Sequence, residues 1–232
     1  MARVLPIVVV LLGLAAAPPP KEEGTDAIPR KWGSVIDPLK DCTVKLSGGR
    51  LRIIIPATPH PYDITGGKLT APQVLQDRTG DFVATVTVFP GRLPLAAKSK
   101  HGITPSAYAG LLLTDTAGAY RAYVGVERIA SSTYKRVLTF AEMAHSPQGG
   151  WSSSSTPLDD PKQDKPVYFR LARTGSTIET ASSTDGQHWH AFEPVKADWP
   201  NNVKVGVFVA HDTDAAFESG FVNLKIAPPD KK

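Results

Sequence analysis

Along most of the chain, apolar and polar residues alternate in short runs broken by glycine, proline, asparagine and aspartate. The clearest runs are CTVKL, RLRIIIP, DFVATVTVF, YAGLLLTD, AYRAYVGVER, RVLTFAEM, VYFRLART, STIETASS, NVKVGVFVA and GFVNLKI. Several keep a period of two: Phe82, Ala84, Val86 and Val88 share one face, and Val203, Val205, Val207 and Val209 share another. No amphipathic stretch is long enough for a substantial helix. About a dozen strands joined by turns predict an all-β fold of two packed antiparallel sheets.

The same alternation separates core residues from residues that turn away from the core. In AYRAYVGVER, Tyr120, Ala122, Val124 and Val126 form the apolar set, so Arg121, Tyr123 and Glu127 point the other way. In PVYFRLART, Val167, Phe169 and Leu171 read as core, which turns Tyr168 and Arg170 outward. An antiparallel sheet can leave one face in water. If these strands are neighbours, one sheet face is a polar field carrying tyrosines.

Two irregular segments interrupt the strands, Phe89 to Ser106 and Ala144 to Lys165. Loops of this length are uncommon inside compact domains. The second holds Ser152 to Ser155 in a row and reads as mobile, with Trp151 as its one anchoring side chain. Near the C-terminus, SSTDGQHWHAF reads as strand, turn, strand, because Asp185-Gly186 supplies the positive φ that a tight hairpin needs. Trp189 then pairs back and is expected to bury its ring at the sandwich edge.

The N-terminus changes the picture. Arg3, an apolar run from Val4 to Leu14 and the small residues Ala15 to Ala17 form the layout of a secretory signal peptide. The run is too short for a transmembrane helix, which needs roughly 20 apolar residues. The expected organisation is a signal peptide over 1–17, a flexible linker over 18–31, one β-sandwich domain over 32–227 and a tail over 228–232. Export to the periplasm or the medium follows from that layout.

Charge and cysteine content exclude several classes. The formal net charge is +4 and is scattered, without the clustered Lys/Arg that marks a nucleic-acid binder. The single Cys42 rules out an internal disulfide framework and reads as a small buried apolar residue. His188 and His190 alternate along one strand, and HDTD (His211 to Asp214) adds a histidine and two carboxylates. These would hold zinc only if the segments met, and no HExxH or Cys-rich spacing supports a metal. No cofactor is expected; calcium is allowed, but no residue string supports it.

Five landmarks in order carry a resemblance: WGSVIDPLKDCTVKLSGGRLRIIIPATPHPYD, APQVLQDRTGDFVATVTV, YAGLLLTDTAGAYR, VYFRLARTGSTIETASSTDGQHWHAF and VKVGVFVAHDT. Together they resemble the secreted domains related to the "regulation of enolase" protein, in the concanavalin A-like lectin/glucanase superfamily. The resemblance implies a jelly-roll sandwich whose concave sheet face is the superfamily's usual carbohydrate site.

That site would use tyrosine faces for sugar C–H surfaces and charged groups for hydroxyls. The candidate ligand-binding residues are Arg121, Tyr123, Glu127, Tyr168, Arg170 and Glu179. The expected function is a non-catalytic carbohydrate-binding or accessory module with a polysaccharide or glycan partner. A glycoside hydrolase or lyase on the same scaffold is the first alternative, since Glu127, Glu142 and Glu179 lie on separate strands that could converge in space; no Glu-x-Asp-x-x-Glu string is present. A cell-surface protein-interaction domain is the second.

Overall fold

The computed structural model describes residues 28–62, 69–99, 104–116, 120–134, 136–147, 152–158 and 165–229. The expected signal peptide, most of the linker and Trp151 lie outside these. Fifteen strands are present among the described residues: β1 (Ser34–Ile36), β2 (Thr43–Ser47), β3 (Arg50–Ile55), β4 (Gln73–Thr79), β5 (Phe82–Phe89), β6 (Ser106–Asp115), β7 (Tyr120–Ser131), β8 (Arg136–Pro147), β9 (Ser152–Pro157), β10 (Val167–Thr174), β11 (Thr177–Ser183), β12 (His190–Ala191), β13 (Val195–Lys196), β14 (Asn202–His211) and β15 (Phe217–Ala227). All ten runs read from the sequence are strands.

The strands build a two-sheet antiparallel jelly-roll sandwich. The first sheet has the order β1-β4-β14-β6-β7-β8-β9 and the second β12-β11-β10-β5-β15-β3-β2, with β13 beside β11. The inner faces meet as period two requires: Val203, Val205, Val207 and Val209 of the first sheet join Phe82, Ala84, Val86 and Val88 of the second in one buried core. Val124, Val126, Phe169 and Leu171 belong to the same core. Burying such a side chain contributes roughly 1.5–3 kcal/mol, so this shared core is the main force holding the sheets together.

Strand membership separates the expected polar field. β7 and β10 sit in different sheets and pack across the sandwich through their core faces. Their outward residues therefore lie on opposite sides of the molecule. The serine run expected to be mobile is instead the edge strand β9, with Ser152↔His145, Ser153↔Ala144 and Ser155↔Glu142 in register with β8. Serine side chains contribute little apolar surface there, and the open edge of β8 supplies backbone partners that periodicity does not reveal.

The first sheet also departs from the expectation of one wet face. Leu75, Leu112, Tyr123, Ala144, Phe208 and Ala210 form a second apolar cluster on its outer side, with Ile36, Tyr62 and Tyr108 against it. The cover comes from the irregular strap before β4. Tyr62 lies tilted on Phe208 at 4.8 Å and edge-on to Tyr123 at 5.6 Å between ring centroids.

Candidate functional site

The outer face of the first sheet gathers the richest chemistry. Register across β6, β7 and β8 sets Tyr108 opposite Glu127, Gly110 opposite Gly125, and Gly125 opposite Glu142. The two glycines leave bare floor between the side chains. They are also sterically required: a Cβ on Gly110 would stand 2.2 Å from the Val124 carbonyl oxygen, and one on Gly125 would stand 2.6 Å from that of Ala109.

Around this floor stand two tyrosine–carboxyl pairs. The Tyr108 hydroxyl donates to Glu127 Oε1 at 2.5 Å, and the Tyr123 hydroxyl donates to Glu142 Oε2 at 2.9 Å. The carboxyls are diagonal cross-strand neighbours, a relation that sets residues about 7–8 Å apart with their Cβ atoms somewhat closer. Burial raises the Glu127 carboxyl, against the opposing pull of the Tyr108 hydrogen bond. Burial also carries Glu142 up to about 7, helped by the Glu127 charge and opposed by the Tyr123 hydrogen bond. Both tyrosine hydroxyls are pushed far up by desolvation and by these carboxylates, so they remain donors at any physiological pH.

Arg121 and Tyr62 complete the cluster. Arg121 is only 8% exposed and its Nε is buried with no hydrogen-bond partner among the described residues; the Tyr62 hydroxyl is likewise buried without one. The Arg121 charge acts on Tyr62 and partly offsets the upward pull of burial on its hydroxyl. Buried polar groups normally find partners, and these two lie together at the strap. Phe140, opposite Glu127, and the exposed Ser155, opposite Glu142, form the more open flank.

The six residues singled out from sequence thus fall into two groups. Arg121, Tyr123 and Glu127 share the face just described, but Arg121 and Tyr123 are buried rather than wet, Tyr123 at 6% exposure, because the strap covers them. Tyr168, Arg170 and Glu179 lie on the outer face of the second sheet. There Tyr168 packs beneath the hairpin, close enough that a Cβ on Gly186 would touch its ring at 3.3 Å. Arg170 and Glu179 line a shallow depression of about 290 Å³ with Trp189 and Phe192. Among the carboxyls considered from sequence, Glu127 and Glu142 do converge and Glu179 does not. Tyr62 and Tyr108 escaped the sequence reading: Tyr62 sits in an irregular segment, and Tyr108 in a run apolar on both faces.

The hairpin is present, but not with a buried tryptophan. Gly186 has φ 76°. Asp185 Oδ1 accepts the backbone N–H groups of Gln187 and His188, and Asp185 Oδ2 meets His188 Nδ1 at 2.7 Å. These bonds hold the Asp185 carboxyl well below its usual range and raise His188. Trp189 remains 40% exposed, lining the depression beside Arg170 and Glu179. His190 meets the Thr156 hydroxyl at 2.9 Å, while His211 lies buried elsewhere. The three histidines of the zinc alternative therefore do not form one site.

A separate cluster joins the β1–β2 connection to the strap. Asp41, Cys42 and His60 bring one donor atom each within 4.8 Å of one another. Cys42 is half-buried, packed against the main core and also beside the carboxylates of Asp37 and Asp41. Seventeen residues lie between Cys42 and His60, and no spacing rule connects them; the backbone bridge with His211 holds His60 in place.

No protein-family model matches the chain, and no curated protein matches it in sequence. Solved structures match its fold. A functionally unknown protein from Saccharomyces cerevisiae has a TM-score of 0.66 at 13% identity, covering 87% of this chain and 98% of that one. The GH43 protein BlXynB from Bacillus licheniformis has a TM-score of 0.58 at 10% identity, over 84% of this chain and 36% of that one. The alginate lyase from Klebsiella pneumoniae has a TM-score of 0.52 at 11% identity, over 82% and 85%. At such identities the likeness is one of scaffold alone, a two-sheet jelly-roll sandwich.

Proposed function

We propose that this chain is an exported, non-catalytic glycan-binding domain of the secreted family related to the regulation of enolase protein. Its site is the outer face of the first sheet, between Tyr108–Glu127 and Tyr123–Glu142. The observation that carries the reading is the convergence of two tyrosine–carboxyl pairs around a glycine floor, beside the more open flank of Phe140 and Ser155. Aromatic faces take sugar C–H surfaces, and convergent polar groups take hydroxyls. Paired carboxyls favour a neutral glycan over a polyuronate, by like-charge repulsion. The landmark string supports the family, and the scaffold shared with a GH43 protein and an alginate lyase raises the weight of a glycan ligand without carrying their activities over. The Arg3-to-Ala17 layout supports export.

One observation favours a catalytic second reading: Glu142 is carried to about 7 beside a second carboxyl, the kind of pairing that separates an acid from a base. One experiment addresses both. The purified chain is applied to arrayed neutral and uronate polysaccharides while reducing ends and unsaturated products are followed. Saturable retention on a neutral glycan, lost in Glu127→Gln and Phe140→Ala without product release, is the expected result. Product formation abolished by Glu142→Gln would establish the catalytic reading instead. Absence of retention by folded protein, or retention indifferent to both variants, refutes the site.

A further inference from the structure

His60 is flanked by Pro59 and Pro61, whose fixed φ angles restrict the backbone around it. It is fully buried and locked in a two-way backbone bridge, with its N–H on the His211 carbonyl at 2.9 Å and its carbonyl accepting from His211 N–H at 3.2 Å. The ring lies 5.8 Å from that of His211. Its Nδ1 is 2.5 Å from the Thr58 carbonyl oxygen, which can only accept, so Nδ1 donates. Its Nε2 faces Asp41 Oδ1 at 2.8 Å.

The third group at this position is a thiol. Cys42 Sγ lies 3.6 Å from the same Asp41 oxygen, and the loop that delivers it is fixed by Asp37, which accepts the backbone N–H groups of Lys40 and Cys42. Imidazole nitrogen, carboxylate oxygen and thiol sulfur are the three donor types that zinc-class ions take, at about 2.0–2.3 Å each. In a tetrahedron such bonds set the donors roughly 3.3–3.8 Å apart, a spacing that small rotations of the exposed Asp41 reach from the present one. A backbone carbonyl on the far ring nitrogen is the usual second-shell support of a metal-bound histidine. With a proton between His60 and Asp41, the Cys42 thiol donates to the same Asp41 oxygen. A dication draws all three donors together.

We propose that Asp41 Oδ1, Cys42 Sγ and His60 Nε2 hold one divalent transition-metal ion of the zinc class, with a fourth position open to solvent on the exposed Asp41 side. The site is independent of the glycan reading. Its chemical consequence is a Lewis-acidic ion with a water ligand at one end of the sandwich.

The test uses the full chain, stripped with chelator under a non-coordinating reductant and titrated with cobalt(II). The expected result is saturation at one cobalt per chain, with a thiolate-to-cobalt charge-transfer band and the strong visible bands of four-coordinate cobalt, both erased by zinc. Cys42→Ser should lose the charge-transfer band, and Asp41→Asn should weaken binding by more than the roughly 10–100-fold typical of second-shell changes. His188→Gln, at the exposed hairpin, should bind as the parent does. His60 is buried and its removal risks misfolding, so the test relies on the two more accessible positions. Absence of a saturating spectrum, a spectrum without thiolate character, or one unchanged in Cys42→Ser overturns the site.

Discussion

Glu142→Gln isolates the energetic cost of ionising a carboxyl inside the covered face. In the folded chain burial carries Glu142 from 4.5 to about 7, whereas in the unfolded chain it titrates as an ordinary glutamate. Between these values the folded state holds a proton that the unfolded state has released, so rising pH favours unfolding. The stability associated with neutral Glu142 is complete below 4.5 and is lost as pH climbs to 7. A tenfold change in a protonation equilibrium corresponds to about 1.4 kcal/mol, so the displacement amounts to about 3 kcal/mol. Glutamine keeps an oxygen to accept the Tyr123 hydroxyl and cannot ionise. The variant should match the parent within about 1 kcal/mol at pH 5, where both side chains are neutral, and exceed it by about 2–3 kcal/mol at pH 8. Urea unfolding followed by fluorescence of the buried Trp32 and Trp199 reads both values. Parallel stability–pH curves for variant and parent between pH 4.5 and 7, or a less stable variant at pH 8, would refute the reasoning.

Glu127→Gln removes the second cause of the Glu142 displacement but not the first. The infrared carboxylic-acid band of Glu142 should therefore disappear at a lower pH than in the parent, yet still above 4.5. Arg173 is buried and donates to the Trp199 carbonyl at 3.1 Å, the Pro200 carbonyl at 2.7 Å and the Gly175 carbonyl at 3.2 Å. Arg173→Leu orphans these acceptors and should cost about 3 kcal/mol in urea unfolding; a loss under 1 kcal/mol would mean that water replaces the guanidinium. Trp189→Ala should change stability by no more than about 1 kcal/mol, as expected for a half-exposed side chain, and a larger loss in thermal unfolding would restore it as an anchor.

Period-two alternation made ten strands and the core legible, because a strand buried on one face prints that face directly into its sequence. It also gave the side of the sheet on which Arg121, Tyr123 and Glu127 lie. Parity, however, says nothing about which strand is next door. β7 pairs with β6 and β8, β10 pairs with β5 and β11, and the expected single field became two faces on opposite sides. The missed strands have physical reasons too. β4 turns polar after Leu75, where Asp77 meets Lys204 of β14 at 2.5 Å, and β9 is held chiefly by backbone pairing. Nor does parity reveal what covers a face. Tyr62 reaches Tyr123 from an aperiodic strap, which is why a surface read as wet is buried.

That strap explains why the cover over one candidate site and the assembly of the other were not legible in the sequence. From Pro56 to Tyr62 it runs along the end of β14, with the Pro56 carbonyl accepting His211 Nε2 at 3.0 Å, His60 bridged to His211, and Tyr62 resting on Phe208. His211 stays neutral in this arrangement, carried down to about 4 chiefly by burial. Its Nδ1 accepts the Thr213 N–H at 3.1 Å, which leaves Nε2 to donate to the strap. Regular strands satisfy their own backbone, so they leave few polar groups over for chemistry. A strap without a ladder must be fixed by side chains, and here those side chains are histidines and aromatics already aimed at the first sheet. His60 and Tyr62 are two residues apart on it, so the cluster at Asp41 and Cys42 and the tyrosine–carboxyl face share one rigid support.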